Sequence, residues 1–385
     1  MNLTINQRVS GCADGNYHVK AKGCIVASLY WADENGALSD WQPFAYLPIE
    51  TNGVGMYKME GGRVVPTDAT HVLAQAVSAD FSAAEECLAP IPKVAEKPTE
   101  EPVQRFLVMT DLHLSSKPWQ VRKALSMGRG YDAVLITGDM TNDGTQEQLE
   151  LFWQCVTEVI PDVPVFAVTG NHDYLRFPLP QILYGICDYP ALQQKLLDRV
   201  ESMGISYQLD ESGAYVAAMG DTEIIGLNAA THWRRFKFSD NAQLEWLRLH
   251  LMESKAKQHI ILCHAPLRLH HPYPPENGEC YLSRDSVLQQ IIDDQNSEVI
   301  FLSGHTHYSM NCREGCVEMA ENNHLYINAG SIRPTTLKAD EALQPECWTD
   351  GNVVELLIGK NQTTVTGISM KTGQKIARGH YSFAK

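Results

Sequence analysis

The sequence predicts an α/β protein: two packed mixed sheets flanked by helices, with a smaller all-β module ahead of them. Three observations lead there. Beyond residue 103, short runs apolar on both faces alternate with amphipathic helical stretches, as a sheet covered by helices requires. Before residue 88, β-prone runs lie between Gly- and Asn-rich turns with no helical period. Between the two, a segment carries four prolines within sixteen residues.

The N-terminal runs are Cys24 to Trp31, Pro43 to Ile49 and His71 to Val77, separated by Asp33-Glu34-Asn35-Gly36 and Gly61-Gly62. Such spacing favours a small β-sandwich of the fibronectin or immunoglobulin kind. Leu88 to Val103 has the composition of a linker. The expected organisation is a β-sandwich over 1–87, a linker over 88–103 and an α/β domain over 104–385.

In the α/β part the candidate strands are Arg105 to Thr110, Ala133 to Thr137, Val163 to Thr169, His259 to Cys263, Val299 to Ser303 and Leu325 to Asn328. Thr145 to Ile160 reads as a helix, with Leu149, Phe152, Trp153, Val156 and Ile160 on one stripe and a capping box begun by Thr145 and Gln148. Asn241 to Lys255 repeats the pattern through Leu244, Leu247, Leu249 and Leu251. Gly220-Asp221 between two apolar runs marks a hairpin. Val353 to Phe383, with turn signals at Gly359-Lys360 and Thr372-Gly373, is assigned to the edge of the second sheet.

Charge narrows the partners. With 46 acidic against 31 basic side chains, the formal net charge is −15. That field repels a nucleic-acid polymer unless a local groove compensates, and leaves a small phosphate compound open. No apolar run approaches the ~18 residues needed to span a bilayer, and Met1 to Lys20 lacks a basic then apolar leader. The expected location is therefore cytoplasmic. The ten cysteines are scattered through a large chain. Cys155 and Cys263 read as core residues, and Cys312 and Cys316 have no second pair at zinc-site spacing.

The chemistry lies at the strand ends. Asp111 and His113 follow the first strand, Gly138-Asp139 the second and Gly170-Asn171-His172-Asp173 the third. His264 follows the fourth, and Gly304-His305-Thr306-His307 the fifth. Ligands of α/β sheets gather at the carboxyl ends of strands. A single Asp or His there is usually a turn cap or a satisfied core residue. Five successive strands each bringing Asp, Asn or His are a different matter. Carboxylates, imidazoles and one amide with no thiolate suit Mn, Fe, Zn or Co. Asp111 with His113, and His305 with His307, are spaced to grip one ion from the same side of an extended segment.

The succession DLH, GDMTND, GNHD, an isolated CH and GHTH resembles the calcineurin-like metallophosphoesterases, nearest the branch that includes cyclic-nucleotide phosphodiesterases. The likeness spans Arg105 to Arg333. It implies a four-layer α/β/β/α sandwich and two metal ions. One would be held by Asp111, His113, Asp139 and His307, the other by Asp139, Asn171, His264 and His305, with Asp139 as the bridge. It further implies a metal-bridging hydroxide attacking phosphorus in line. His172 would protonate the departing oxygen, and Asp173 would hold that imidazole and favour its charged form. The expected activity is hydrolysis of a small phosphodiester or phosphomonoester, a cyclic nucleotide among the candidates. The rivals are a protein-binding scaffold on the same fold, which can dispense with His172, and a DNA nuclease, which the acidic charge disfavours. Outside these motifs, the basic aromatic run Thr231 to Arg235, the segment Tyr174 to Ile205 and Arg268 to Tyr273 are candidate pocket walls. His250 and His259 flank the end of a helix, and His18, His71, His324 and His380 have no ligand-type neighbours in sequence. Oligomeric state is not encoded in any of these features.

Overall fold

The computed structural model describes the chain apart from residues 8–14, 39–42, 60–68, 81–83, 92–102, 175–187, 230, 233–234, 237, 239–240, 269, 271–281, 283–284, 309, 311–315, 321–323, 334–350 and 385. Contacts divide it into two compact units, Met1–Glu101 with His380–Phe383, and Pro102–Gly379 with Ala384–Lys385.

The first unit is all-β. One antiparallel sheet joins Asn2–Gln7, Gly15–Lys20 and Val54–Met59 in that order. Another is centred on Cys24–Asp33, paired with His71–Ser78 on one side and with Gly36–Ala37 and Ala45–Pro48 on the other, with Ala84–Pro90 at the edge. Alternation along these strands sends Ala27, Leu29, Leu47, Val72, Ala74 and Ala76 into a core with Leu3, Tyr17 and Val19. The edge strand runs on through Pro90, past the point at which composition turns linker-like. A proline is tolerated there because an edge strand has one side without ladder partners.

The second unit is an α/β/β/α sandwich. Its first sheet has the order Val165–Ala167, Ala133–Ile136, Gln104–Met109, Asn352–Ile358, Gln362–Ser369, Lys375–Ala384. The first three strands are parallel, and Asn352–Ile358 runs antiparallel beside Gln104–Met109. The second sheet has four parallel central strands, Thr222–Leu227, Gln258–Cys263, Glu298–Ser303 and Leu325–Asn328. Tyr215–Met219 and Val317–Met319 flank them antiparallel. The hairpin at Gly220-Asp221 closes with Met219 opposite Thr222.

The strands are buried on both faces, and alternation sorts the faces. Leu107, Met109, Val134 and Ile136 face the helices α1 (Trp119–Ser126), α2 (Gln146–Val159) and α3 (Tyr189–Ser202). In the other sheet Ile225, Leu227, Ile261, Cys263 and Phe301 face α4 (Ala242–Glu253) and α5 (Asp285–Asp293). The opposite faces, including Phe106, Leu135, Tyr215 and Ile224, are also fully buried. The Tyr215 hydroxyl donates to the Ala167 carbonyl at 3.1 Å, linking one sheet to the other.

Three expectations change. Val353 to Phe383 does not edge the second sheet but extends the first, with Asn352–Ile358 in its interior. Without that partner, Gln104–Met109 would be an open apolar edge with unpaired backbone groups. At α2, Thr145 accepts from the Gln148 amide at 3.3 Å, yet the Gln148 side chain turns to Asp143 rather than back to Thr145. Only half of the capping box forms. Leu249 of the α4 stripe is exposed, while Leu244, Leu247 and Leu251 are buried. No helix among the described residues is long and apolar enough to cross a membrane.

Candidate metal centre

The parallel strands deliver their polar residues to one end of the sandwich. After Gln104–Met109 and Ala133–Ile136 the chain continues as two loops running side by side: the Asp111 amide donates to Gly138 O at 3.1 Å and the His113 amide to Asp139 O at 2.9 Å. After Gln258–Cys263 and Glu298–Ser303, the Gly304 amide donates to His264 O at 3.0 Å. Short strands with abrupt ends thus put Asp111, His113, Asp139, Asn171, His264, His305 and His307 in neighbouring loops.

Backbone conformation marks the same residues. Asp111 (φ 52°), His113 (44°), Asp139 (50°), His305 (68°) and His307 (57°) are left-handed, and no other non-glycine residue among those described is. Each costs roughly 1–2 kcal/mol relative to ordinary backbone. Strain confined to one cluster reflects surroundings that over-determine it. Two glycines make room: a Cβ at Gly170 would collide with the Asp139 carboxylate, and one at Gly304 with Thr110 Oγ1.

The side chains converge in two groups that share one member. Ligand-capable atoms of Asp111, His113, Asp139 and His307 lie within 4.8 Å of one another, as do those of Asp139, His264 and His305. His305 and His307 thus fall in different groups and do not grip one ion together as expected, since both are left-handed rather than part of an extended segment. Asp139 Oδ2 lies 3.8 Å from His113 Nε2 and 3.4 Å from His264 Nε2, so one oxygen faces both groups. Its Oδ1 is taken by the His172 amide at 2.7 Å. Asp111 is arranged likewise. Its Oδ2 accepts from Thr110 Oγ1 at 2.7 Å and from the His305 amide at 2.9 Å, while Oδ1 lies 2.8 Å from His307 Nε2.

Whether a cation fits is decided by atoms with nothing else to bind. Asp111 Oδ1, Asn171 Oδ1 and His264 Nε2 are buried and make no hydrogen bond. Asp111 Oδ1 meets His307 Nε2 at contact distance without the angles of a hydrogen bond. Buried polar atoms are nearly always partnered. Two of these, on Asp111 and His264, belong to the groups around Asp139, and the third is the amide oxygen of the residue after Gly170, whose backbone packs on the Asp139 carboxylate. His264 shows the accompanying orientation: its Nδ1 donates to Thr137 O at 2.7 Å, leaving the Nε2 lone pair for an ion. An all-oxygen-and-nitrogen set suits hard or borderline divalent ions. The residues fit the group.

Electrostatics agree. Burial presses every ring in the cluster toward neutrality, and it lowers His113 and His305 to about 3 despite the carboxylates nearby. Burial also acts on His264, but Asp139 and Asp111 overcome it and raise the ring to about 9. Burial likewise works against ionising Asp111 and Asp139, yet His307 and His264 hold them well below the usual carboxylate range. The cluster is a buried pair of carboxylates that recruits positive charge.

The turn Asn171–Asp173 corrects one expected contact. The Asp173 carboxylate does not serve as the His172 ring partner. It is occupied by the amides of Gly170 (2.9 Å), Thr141 (2.8 Å) and Met140 (3.2 Å) and by Thr141 Oγ1 (2.9 Å). His172 Nδ1 instead faces Asn142 O at 2.8 Å. Successive residues of a helical turn point in different directions, so sequence neighbours do not face each other. Asp173 is a clamp between the second and third loops, and burial together with the Asp139 charge raises its carboxyl to about 7.

Several contributors escaped sequence reasoning. Asn328 donates to Gly304 O at 2.7 Å and accepts from Thr306 Oγ1 at 2.6 Å, fixing the turn that carries His305 and His307. Its position at the carboxyl end of a strand was the same signal that marked the ligands. Phe236 is buried, with its ring 4.5 Å from that of His305 and 5.4 Å from that of His264. It belongs to the hairpin Thr231–His232 with Arg235–Phe236. Within the basic aromatic run Trp233 and Arg234 lie outside the described residues, as do 175–187, 269 and 271–273 of the other candidate walls. Cys312 also lies outside them, and Cys316 is buried with its thiol toward Tyr308 O. His250 and His259 sit with Glu223 and Ser254, away from the ligand groups.

Comparison with known proteins follows the same lines. The crystal structure of a dimetal phosphatase from Danio rerio is similar over 74% of this chain and 99% of its own, at 13% identity and a TM-score of 0.50. A purple acid phosphatase from yellow lupin (Lupinus luteus) seeds is similar over 99% of this chain and 73% of its own, again at 13% identity and a TM-score of 0.50. At such identity these likenesses speak for the fold alone. No curated protein sequence matches the chain. Residues 104–309, just over half of the 385, match the profile of the calcineurin-like phosphoesterases. With that match, the strand-end loops and the paired ligand clusters, the chain belongs to the calcineurin-like phosphoesterases, metal-dependent hydrolases of phosphoesters.

Proposed function

We propose that the protein hydrolyses a small phosphodiester or phosphomonoester, a cyclic nucleotide among the candidates, using two cations that Asp139 would share. The observation that carries this is the carboxylate oxygen of Asp139 facing both ligand groups. Asp111, His113 and His307 would complete one seat, and Asn171, His264 and His305 the other. Mn, Fe and Zn all match the donors. When bound, a cation pair supplies Lewis acidity, lowering the pKa of an attacking water and neutralising phosphoryl oxygens.

The chain's own residues supply the rest. With Nδ1 directed to the Asn142 carbonyl, His172 has Nε2 as the nitrogen to pass a proton to the departing oxygen. Asp173 holds the loops that carry Asp139 and His172 in register. The net charge of −15 favours a compact substrate over a polymer. A cytoplasmic setting, and a division into an N-terminal β-module over 1–87, a connector over 88–103 and a hydrolase domain over 104–385, belong to the same reading.

The test is a substrate panel on metal-stripped protein reloaded with Mn: bis(p-nitrophenyl) phosphate, p-nitrophenyl phosphate, cyclic nucleotides and sugar phosphates. Hydrolysis that vanishes on stripping and returns with Mn supports the reading. Absence of turnover on every member, with Mn or Fe restored, overturns it in favour of a scaffold.

A further inference from the structure

We infer that Ser331 and Arg333 are positioning residues, a strap that holds the Asp111–His113 loop in its strained shape and thereby sets cation affinity on that side of Asp139. The inference rests on the reading above for its metal, but its geometry stands alone. Thr110, Asp111, Leu112 and His113 present four successive carbonyls, and three successive residues, Ser331, Ile332 and Arg333, satisfy all of them. The Ile332 amide donates to Thr110 O at 3.3 Å. Ser331 Oγ donates to Asp111 O at 3.1 Å. Arg333 Nε donates to Leu112 O at 3.3 Å, and Arg333 Nη2 donates to His113 O. The Arg333 amide donates to Ser331 Oγ at 3.1 Å, which leaves the hydroxyl proton to point at Asp111 O.

The loop needs such a fixing. Asp111 and His113 are both left-handed, at φ 52° and 44°, with Leu112 between them. A relaxed loop would turn the two side chains apart and dissolve the seat. The Asp111, His113 and Leu114 amides are already used toward Gly138, Asp139 and Met140, and the clamp takes the carbonyls. A guanidinium suits the task because its fork donates from two fixed atoms to two carbonyls at once, which a lysine ammonium cannot copy. Ser331 is buried and Arg333 half-buried, so water competes poorly for these bonds. The strap lies beyond residue 309, outside the segment that matches the family.

Two measurements test it. In Mn titrations of the whole protein followed by calorimetry, R333M should weaken one of two sites by about 10–100-fold, as loss of a supporting partner does, and leave the other near wild type. R333K should fall between, and S331A should affect the same site by less. Excess Mn should restore kcat in R333M with KM little changed. The second measurement needs no cation: in metal-free R333M, hydrogen exchange should quicken at the Asp111, His113 and Leu114 amides but not at Asp173. Unchanged exchange at those three amides, or equal weakening of both Mn sites alongside a general loss of protection, overturns the strap. If wild-type protein takes up no Mn, the phosphoesterase reading falls, and hydrogen exchange still decides whether the strap holds the loop.

Discussion

His172 Nδ1 lies 2.8 Å from the carbonyl oxygen of Asn142, across the turn that leads into α2. This contact, rather than the neighbouring Asp173, sets the orientation of the imidazole, and it assigns the proton-bearing nitrogens: Nδ1 donates to the backbone and Nε2 is turned away from it.

Replacing His172 by Ala should leave metal content unchanged and lower kcat by about 10²–10⁴-fold, the usual worth of a positioned acid. The loss should be smaller with p-nitrophenyl esters, whose leaving group needs little protonation, than with alkyl esters. Equal losses on both kinds of ester, or a parallel fall in metal content, would remove His172 from that role.

Cation affinity should rise with pH. His264 is lifted to about 9 by Asp139 and Asp111 against the pull of burial. Below that value the ring holds a proton that a cation must displace, and His307 is raised too, by Asp111 against burial. Apparent affinity should therefore climb by at least about tenfold per pH unit from 7 and level off once both rings are neutral. Calorimetry in buffers of different ionisation enthalpy should show at least one proton released per protein at pH 7. A pH-independent affinity would contradict the arrangement.

Gly170→Ala should disable the centre without touching a ligand. The new Cβ would run into the Asp139 carboxylate, and neither the backbone nor the clamp by Asp173 can move far to admit it. We expect loss of both ions and a stability cost of about 1–3 kcal/mol, in line with overpacking. Wild-type metal content in G170A would show the site to be looser than described.

Glu223 offers a contrast, since its histidines serve the fold. Burial alone would raise its pKa, but hydrogen bonds from His250, His259 and Ser254 outweigh burial and depress it. A depressed carboxylate contributes stability above its unfolded pKa and loses it as pH falls through the folded value. Glu223→Gln should therefore cost about 1 kcal/mol near neutral pH, with the deficit shrinking in acid and hydrolytic activity unchanged. A changed activity would mean that this cluster does more than support the sheet.

Much of this was legible in the sequence, for a definite reason. Candidate ligands at strand ends combine a local signal, an apolar run that stops, with a chemical one, and Asp111, Asp139, His264 and His305 each carry both. What escaped depended on direction or distance. Asp173 follows His172 in the chain yet points elsewhere, because a tight turn separates successive side chains. Ser331 and Arg333 bear on Asp111 and His113 from 220 residues away, and serine and arginine at the end of a strand resemble any polar cap. Asn352–Ile358 has strand character that does not reveal its partner. Only the need to cover Gln104–Met109 decides it, and that need exists in three dimensions alone.

The most direct test is an anomalous-scattering map of crystals grown with Mn. Two peaks, flanking the Asp139 carboxylate at a separation of about 3.5–4 Å, with Asp111, His113 and His307 around one and Asn171, His264 and His305 around the other, are the predicted result. A single peak, or peaks that leave Asp139 uncoordinated, would contradict the account.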